Sequence, residues 1–312
     1  MPETPILEVK SLSISFIQYA GGLKRRSLPV IRDLSLAVRA GELVAVVGAS
    51  GSGKSLLAHG ILHILPYNAR MEGEIRYGGA PLDAGRAAAL RGREIVLVPQ
   101  SVNFLDPLMK VGPQLRRGKR DGDSRARARA ALARYGLGAE TEERYPFELS
   151  GGMARRVLIS SAVLDAPRLV VADEPTPGLD GPTARRVLGH FRELADAGAG
   201  VLLITHDLEL AISCADRVVI FYAGTTVEEA AAADFGAEAA LRHPYTRALW
   251  RAMPEHGFEP LSGTQPYAGD LGAGCPFAGR CPSRRADCAA GEIPSRPLRG
   301  GAVRCLHPEG TP

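Results

Sequence analysis

The sequence has no run approaching the roughly 20 consecutive apolar residues that a bilayer-spanning helix needs, so no segment is expected to cross a membrane. Its start, Met1 to Lys10, lacks the basic stretch followed by an apolar one that marks a secretory leader, and the chain is expected to stay in the cytoplasm. A strong charge of one sign is missing too. The 38 basic residues face 34 acidic ones, a formal +4, too slight an excess to point to nucleic acid or an anionic membrane as partner. Internal repeats are absent. Cysteine is sparse, at five in 312 residues, and unevenly spread. Cys214 stands alone, while Cys275, Cys281, Cys288 and Cys305 gather near the end, where a cytosolic setting favours metal over disulfide.

What is present has the make-up of a globular protein with one large domain and a smaller one: 45% of residues are hydrophobic and 23% charged. Short apolar runs at Glu42 to Val47, Glu94 to Val98, Leu169 to Ala172 and Val201 to Thr205 read as strands buried on both faces. Helical patterns lie between them at Lys54 to Leu65, Ser124 to Tyr135, Met153 to Leu164 and Pro182 to Ala195. The alternation predicts an α/β fold with a mainly parallel sheet. From Asp216, the run Arg-Val-Val-Ile-Phe-Tyr, then Ala-Gly, then Thr-Thr-Val-Glu predicts two strands around a tight turn, and an Ala-rich stretch, Glu228 to Ala240, follows. Beyond His243 the composition turns to Pro, Gly, Cys and Arg. A boundary near residue 240 is therefore expected, with domains at 1–240 and 241–312, the second small and irregular. The basic residues Arg116, Arg117, Lys119, Arg120, Arg125, Arg127 and Arg129 read as a solvated helix face.

Chemistry enters with Gly48-Ala49-Ser50-Gly51-Ser52-Gly53-Lys54-Ser55, which matches G-x-x-x-x-G-K-S/T and sits after an apolar strand and before a helical pattern. Glycines let the backbone curl so that successive N–H groups face phosphates. The helix N-terminus adds positive potential, Lys54 neutralises β/γ oxygens, and Ser55 can hold Mg²⁺. A second apolar strand, Leu169-Val170-Val171-Ala172, ends in Asp173 and Glu174. Asp173 can anchor Mg²⁺, and Glu174 can polarise a water in line with a γ-phosphate. Of the histidines, His59 and His63 are expected to pack or face solvent on the helix after the loop. His190 and His256 have no partner pattern, and His307, close to Cys305, is an alternative metal ligand.

Leu149-Ser150-Gly151-Gly152-Met153, ahead of the acidic strand and followed by Arg155-Arg156, resembles the signature motif of ABC ATPases. Gln100 resembles the Q-loop residue, Gly178-Leu179-Asp180 the D-loop, His206 the switch histidine, and Phe16 the adenine-stacking aromatic, with Tyr19 close by. The resemblance runs from residue 7 to about 230. It implies a P-loop NTPase of ABC type with an antiparallel β region and a helical insert at about 101–160 that meets a permease. It further implies ATP hydrolysis with Glu174 as base, His206 fixing the γ-phosphate and attacking water, and Mg²⁺ held by Ser55, Gln100 and Asp173. Ser150, Gly151 and Gly152 would complete the site of a second ATPase subunit. Two departures stand out: Met153 occupies a usual Gln position, and Pro177-Gly178 a stretch usually free of Pro. Neither removes a catalytic group.

Three further features resemble the ATPases of peptide and nickel importers: Leu105-Asp106-Pro107-Leu108-Met109, His243-Pro244-Tyr245-Thr246-Arg247-Ala248-Leu249, and the Cys-rich tail over about 243–308. That resemblance implies a peripheral subunit at the cytoplasmic face of the membrane, beneath two permease subunits. Its ATPase partner would be a related paralogue or a second copy of itself, and a solute-binding protein would deliver the cargo outside. Dipeptides, oligopeptides, nickel and metal chelates all remain as cargo. Spacings of five, six and sixteen residues between the tail cysteines depart from paired C-x-x-C zinc sites. An iron–sulfur cluster of the 4Fe-4S type is favoured over zinc, with free thiols as the remaining alternative. A soluble ABC ATPase of translation or repair would show two ATP-binding halves or a long coiled coil, and an exporter ATPase would lack this tail.

Overall fold

In the computed structural model, which describes residues 4–19 and 24–308, the chain opens with two long antiparallel strands, β1 (Leu7–Tyr19) and β2 (Arg25–Val38). The ends of the two expected domains, 1–3 and 309–312, lie outside the described residues. Strand β3 (Leu43–Val47) leads through the glycine-rich loop into α1 (Lys54–Ile61). Then β4 (Ala69–Tyr77) returns to pair with β1, and the short β5 (Ala80–Pro81) completes a sheet of order β2-β1-β4-β5. Helix α2 (Ala84–Leu90), capped by Asp83, precedes β6 (Ile95–Val98). Three helices follow, α3 (Val111–Leu115), α4 (Gly122–Arg134) and α5 (Gly151–Val163). The chain re-enters the main sheet at β7 (Leu169–Asp173), then alternates α6 (Gly181–Asp196), β8 (Gly200–Thr205), α7 (Leu208–Cys214) and β9 (Arg217–Tyr222). Last come β10 (Thr225–Ala231), α8 (Pro244–Arg251), β11 (Arg296–Leu298) and β12 (Gly301–Val303).

Among the described residues the main sheet runs β11-β12-β10-β9-β3-β8-β7-β6. Its β9-β3-β8-β7-β6 portion is parallel. The period of two explains why its strands read as unbroken apolar runs. Val44 and Val46 of β3, Val171 of β7 and Leu202 and Ile204 of β8 pack beneath the antiparallel sheet and α1. Their neighbours Ala45, Val47, Val170, Ala172, Val201 and Leu203 face α6 and α7 on the other side. Both faces are covered, so neither has room for a polar residue until the strand ends, where the chemistry lies.

The helical insert has its own small core, in which Leu105, Val111, Leu115, Ala128, Leu132, Val157 and Leu158 are buried. Gly136, with a φ of 68°, follows the end of α4, and Leu137 N donates back to Leu132 O at 3.0 Å. The basic cluster is more than a solvated face. Arg116 and Arg129 both reach the buried carboxylate of Glu142, at 3.2 and 2.8 Å, while Arg117 and Arg127 both reach Asp165. Helix α1 stops at Ile61, short of the expected Leu65, because His63 takes a left-handed φ of 51° and turns the chain toward Pro66.

The tail joins the main sheet. The Ala-rich stretch is strand only to Ala231, and β12 pairs with β10, so the tail extends the edge of the main sheet. Phe277 is wholly buried, edge-on to Tyr222 at 5.4 Å and 5.3 Å from Tyr245. Glu228 of β10 accepts from Arg242 N at 2.8 Å, Arg242 Nη1 at 3.2 Å and His243 N at 2.7 Å, an ion pair sealed from water. Residue 240 thus marks a change of composition within one continuous sheet.

Candidate functional site

The central strand β3 delivers the glycine-rich loop at its C-terminal end. At Gly48 an added Cβ would stand 2.4 Å from Phe221 O of β9, so the loop passes the neighbouring strand at a distance only glycine allows. Gly51 and Gly53 take left-handed φ values of 75° and 101°, which curl the backbone into the N-terminus of α1. Ala49, Ser50 and Gly51 are exposed at the mouth, and Ser52 is buried with a hydroxyl that has no partner. Lys54 is buried and folds over its own loop, donating to Gly48 O at 2.7 Å and Ala49 O at 2.9 Å. Burial pulls its pKa down, opposed by the nearby charges of Glu174 and Asp173.

Strand β7 brings Asp173 and Glu174 to the same rim. Ser55 Oγ donates to Asp173 Oδ1 at 3.1 Å, and burial pushes the Asp173 carboxyl above the usual range, against the pull of that bond. Glu174 takes a left-handed φ of 47°, rare for a residue with a Cβ, and its N–H donates to Ile204 O of β8 at 2.9 Å. This conformation turns its carboxylate to 3.9 Å from Lys54 Nζ and into contact with His206, which follows β8. Because the acceptor is a carboxylate, His206 carries its proton on Nδ1 in this pair. The five groups Lys54, Ser55, Asp173, Glu174 and His206 therefore meet above three adjacent strands.

Other predicted residues stand around this cluster rather than in it. Gln100 is exposed at the bend after β6, and Phe16, half-buried on β1, packs against the core under the antiparallel sheet. Leu149 to Met153 opens α5: Ser150 Oγ accepts from Met153 N at 3.3 Å, and Gly151 is exposed. Asp180 caps α6, accepting from Thr183 N at 2.9 Å. Among the described residues, no hydrogen bond joins these signature and D-loop groups to the cluster; Ser150 and Gly151 are exposed, while Leu149 and Met153 pack against the insert core. Arg155, given no role from the sequence, is buried and donates to Pro99 O at 3.0 Å and Glu174 O at 3.4 Å. It ties the signature helix to both the Gln100 bend and the acidic rim. A pair of basic residues inside a helix carries no signal of that kind.

The tail cysteines also converge. Cys275, Cys281, Cys288 and Cys305 line one small cavity with His243 and His307, and all are free thiols. Burial pushes Cys305 up to about 11 and raises Cys275, and the neighbouring thiols add to both shifts. The backbone N–H of Arg285 nevertheless points at Cys288 Sγ, 3.5 Å away. A donor of that kind suits a thiolate, and a soft cation is what would offset the cost of burying four of them, so the ligand set fits a thiophilic metal or cluster. Asp287, Cys288 and His307 form a second, overlapping group, their ligand atoms within 4.8 Å of one another. His307 Nε2 is already engaged by Asp287 Oδ2 at 2.7 Å.

Comparison with known proteins bears on both regions. Residues 31–177 match the family model described as ABC transporter, and residues 227–288 match that of the oligopeptide/dipeptide transporter C-terminal region. The oligopeptide transport ATP-binding protein OppD of Mycobacterium tuberculosis is 36% identical over 93% of this chain, which spans only 49% of OppD's own length. The dipeptide transport ATP-binding protein DppD of Bacillus subtilis is 34% identical, with 91% of this chain and 88% of DppD covered. Among solved structures, the dimeric ATP-binding cassette MJ0796 in a post-hydrolysis state bound to ADP and Pi superposes with a TM-score of 0.63. It is 26% identical, over 72% of this chain and 98% of that one.

Proposed function

This chain belongs to the ABC transporter family, in the branch that carries the oligopeptide/dipeptide transporter C-terminal region, and on that premise we propose that it binds and hydrolyses ATP to drive peptide import. The observation that carries the reading is the meeting of Lys54, Ser55, Asp173, Glu174 and His206 at one rim. The triphosphate enters the curl of Gly48 to Ser55, where backbone N–H groups and the α1 N-terminus hold its oxygens. Lys54 exchanges the carbonyl oxygens of Gly48 and Ala49 for phosphate oxygens. Ser55 and Asp173, both hard oxygen donors, together with Gln100, would hold Mg²⁺, which neutralises phosphate charge when bound. Glu174 orients the attacking water and takes its proton as the β–γ bridging bond breaks, releasing ADP and phosphate. His206 holds the γ-phosphate and the water in place, and Phe16 stacks on the adenine.

The exposed Ser150 and Gly151 and the half-buried Gly152, with the Asp180 loop, complete the site of a second ATPase subunit, a related paralogue or a second copy. The helical insert docks on two permease subunits at the cytoplasmic face of the membrane, and an outside solute-binding protein supplies the cargo. No helix among the described residues is long and apolar enough to cross a membrane. The oligopeptide and dipeptide names of the relatives favour peptides over nickel and metal chelates. Within the tail, Cys275, Cys281, Cys288 and Cys305 would hold a 4Fe-4S cluster in preference to zinc, which would staple the tail to the main sheet. Brown colour and iron in anaerobically purified protein support the cluster, and stoichiometric zinc counts against it. Nucleotide titration tests the central claim: Lys54→Ala should lose ATP binding, whereas Glu174→Gln should keep it, and binding that survives Lys54→Ala would overturn the reading.

A further inference from the structure

Strands β6 and β7 part company at the phosphate site. Their pairing stops at Val98 and Ala172, after which Pro99 leads out to the exposed Gln100 bend and Glu174 takes its left-handed turn. Backbone carbonyls that leave a ladder inside a protein need another donor. Pro99 O and Glu174 O receive theirs from one atom, Arg155 Nη1, at 3.0 and 3.4 Å. That nitrogen carries two hydrogens, one for each carbonyl. Among the described residues these carbonyls are the only hydrogen-bond partners of Arg155, which is 7% exposed. Its neighbour Arg156 points elsewhere, donating to Gly152 O, Tyr135 O and Gly136 O. Arg156 thus holds α5 to the end of α4, and Arg155 holds it to the strand ends.

We infer that Arg155 is a positioning residue for hydrolysis: by clasping Pro99 O and Glu174 O with one nitrogen, it sets both the left-handed turn that aims the Glu174 carboxylate and the bend that carries Gln100. A left-handed φ at a residue with a Cβ persists only where its surroundings hold it. At Glu174 the N–H is bound by Ile204 O and the C=O by Arg155, so the peptide groups on both sides of its Cα are restrained. The carboxylate that projects between them is shared with His206, and its direction follows from the backbone beneath it. Arg155 reaches this base through the main chain alone. It also lies on the helix whose N-cap, Ser150, is exposed, so the clasp joins the surface offered to a second subunit with this chain's own acidic rim.

The inference rests on Glu174 as the base, and its test separates the two. Arg155→Met keeps an unbranched apolar stem and removes both donors. In the assembled transporter, phosphate release per nucleotide-binding site should fall about tenfold, the worth of one charge-assisted hydrogen bond, while KM for ATP stays within about twofold. Arg155→Lys, which keeps an ammonium donor, should recover most of the loss. Hydrogen exchange on the nucleotide-free full-length chain supplies a readout apart from turnover. In Arg155→Met the amides of residues 99–104 and 174–178 should exchange roughly tenfold faster, with Val111–Leu115 of α3 unchanged. Unchanged turnover per site, or a rise in KM that matches the loss, overturns the inference. So does exchange quickened throughout the insert, the mark of a merely structural role. Should Arg155→Met fail to fold, the wild-type chain decides: residues 99–104 and 174–178 opening together in dilute urea support the clasp, and separate openings overturn it. Turnover that survives Glu174→Gln defeats the base assignment alone and leaves the exchange comparison intact.

Discussion

His206 Nδ1 lies 2.9 Å from Oε2 and 3.0 Å from Oε1 of Glu174, so one N–H is shared between both oxygens of the carboxylate at the phosphate site. The two residues follow adjacent parallel strands, and the Glu174 N–H to Ile204 O bond fixes their offset. The half-exposed histidine thus holds a buried carboxylate in a single orientation, aimed at the space above Lys54.

Residues that act as a unit have non-additive effects. Glu174→Gln is expected to lower ATP turnover by about 10²-fold or more, and His206→Ala by a comparable factor. The double variant should then lose little beyond the worse single one. Steady-state phosphate release from the assembled transporter reads all three, and losses that multiply would show that the pair is not a functional unit.

Asp173 gives the pH dependence. Its carboxyl is raised by burial, so between the ordinary aspartate range near 3.8 and its raised value the folded state holds more protons than the unfolded one. That contribution is full below the ordinary range and is lost as pH rises through the window. Asp173→Asn keeps the acceptor for Ser55 without the charge. It should therefore stabilise the nucleotide-free protein by on the order of 1 kcal/mol at pH 8, a gain that vanishes toward pH 3. The same variant should lose Mg²⁺-dependent turnover. Thermal unfolding across pH provides the check, and a gain independent of pH would contradict this origin.

Glu228 and Arg242 bear on the tail. Both are essentially inaccessible, and the carboxylate satisfies three N–H donors at once. Glu228→Ala should cost about 3 kcal/mol because it leaves a buried guanidinium with only its remaining partners. Urea unfolding should show the loss, and limited proteolysis should cut first between α8 and β11. A wild-type urea midpoint would show that other contacts hold the tail.

The phosphate loop and the parallel strands could be read early because their signals are contiguous: a doubly buried strand is a run of Val, Ile and Leu, and a phosphate nest is a run of Gly ending in Lys54 and Ser55. Arg155 could not be read in this way. Its partners, Pro99 O and Glu174 O, are carbonyls that any residue possesses, and only the packing of α5 against the sheet brings the guanidinium to them. The same holds for β11 and β12, three residues each, too short for a period of two to register.

The order of motifs along the chain determined the kind of site, because backbone curl, a lysine and paired acids at strand ends are local chemistry dictated by local residues. The tertiary structure alone decided how the groups are held. It set the left-handed turn at Glu174 that aims its carboxylate at His206, and the docking of the tail along β10. It also gathered four cysteines, from Cys275 to Cys305, around one small cavity that His243 and His307 share. Those outcomes depend on which distant segments pack together, and burial then sets the charge and proton of each group it encloses.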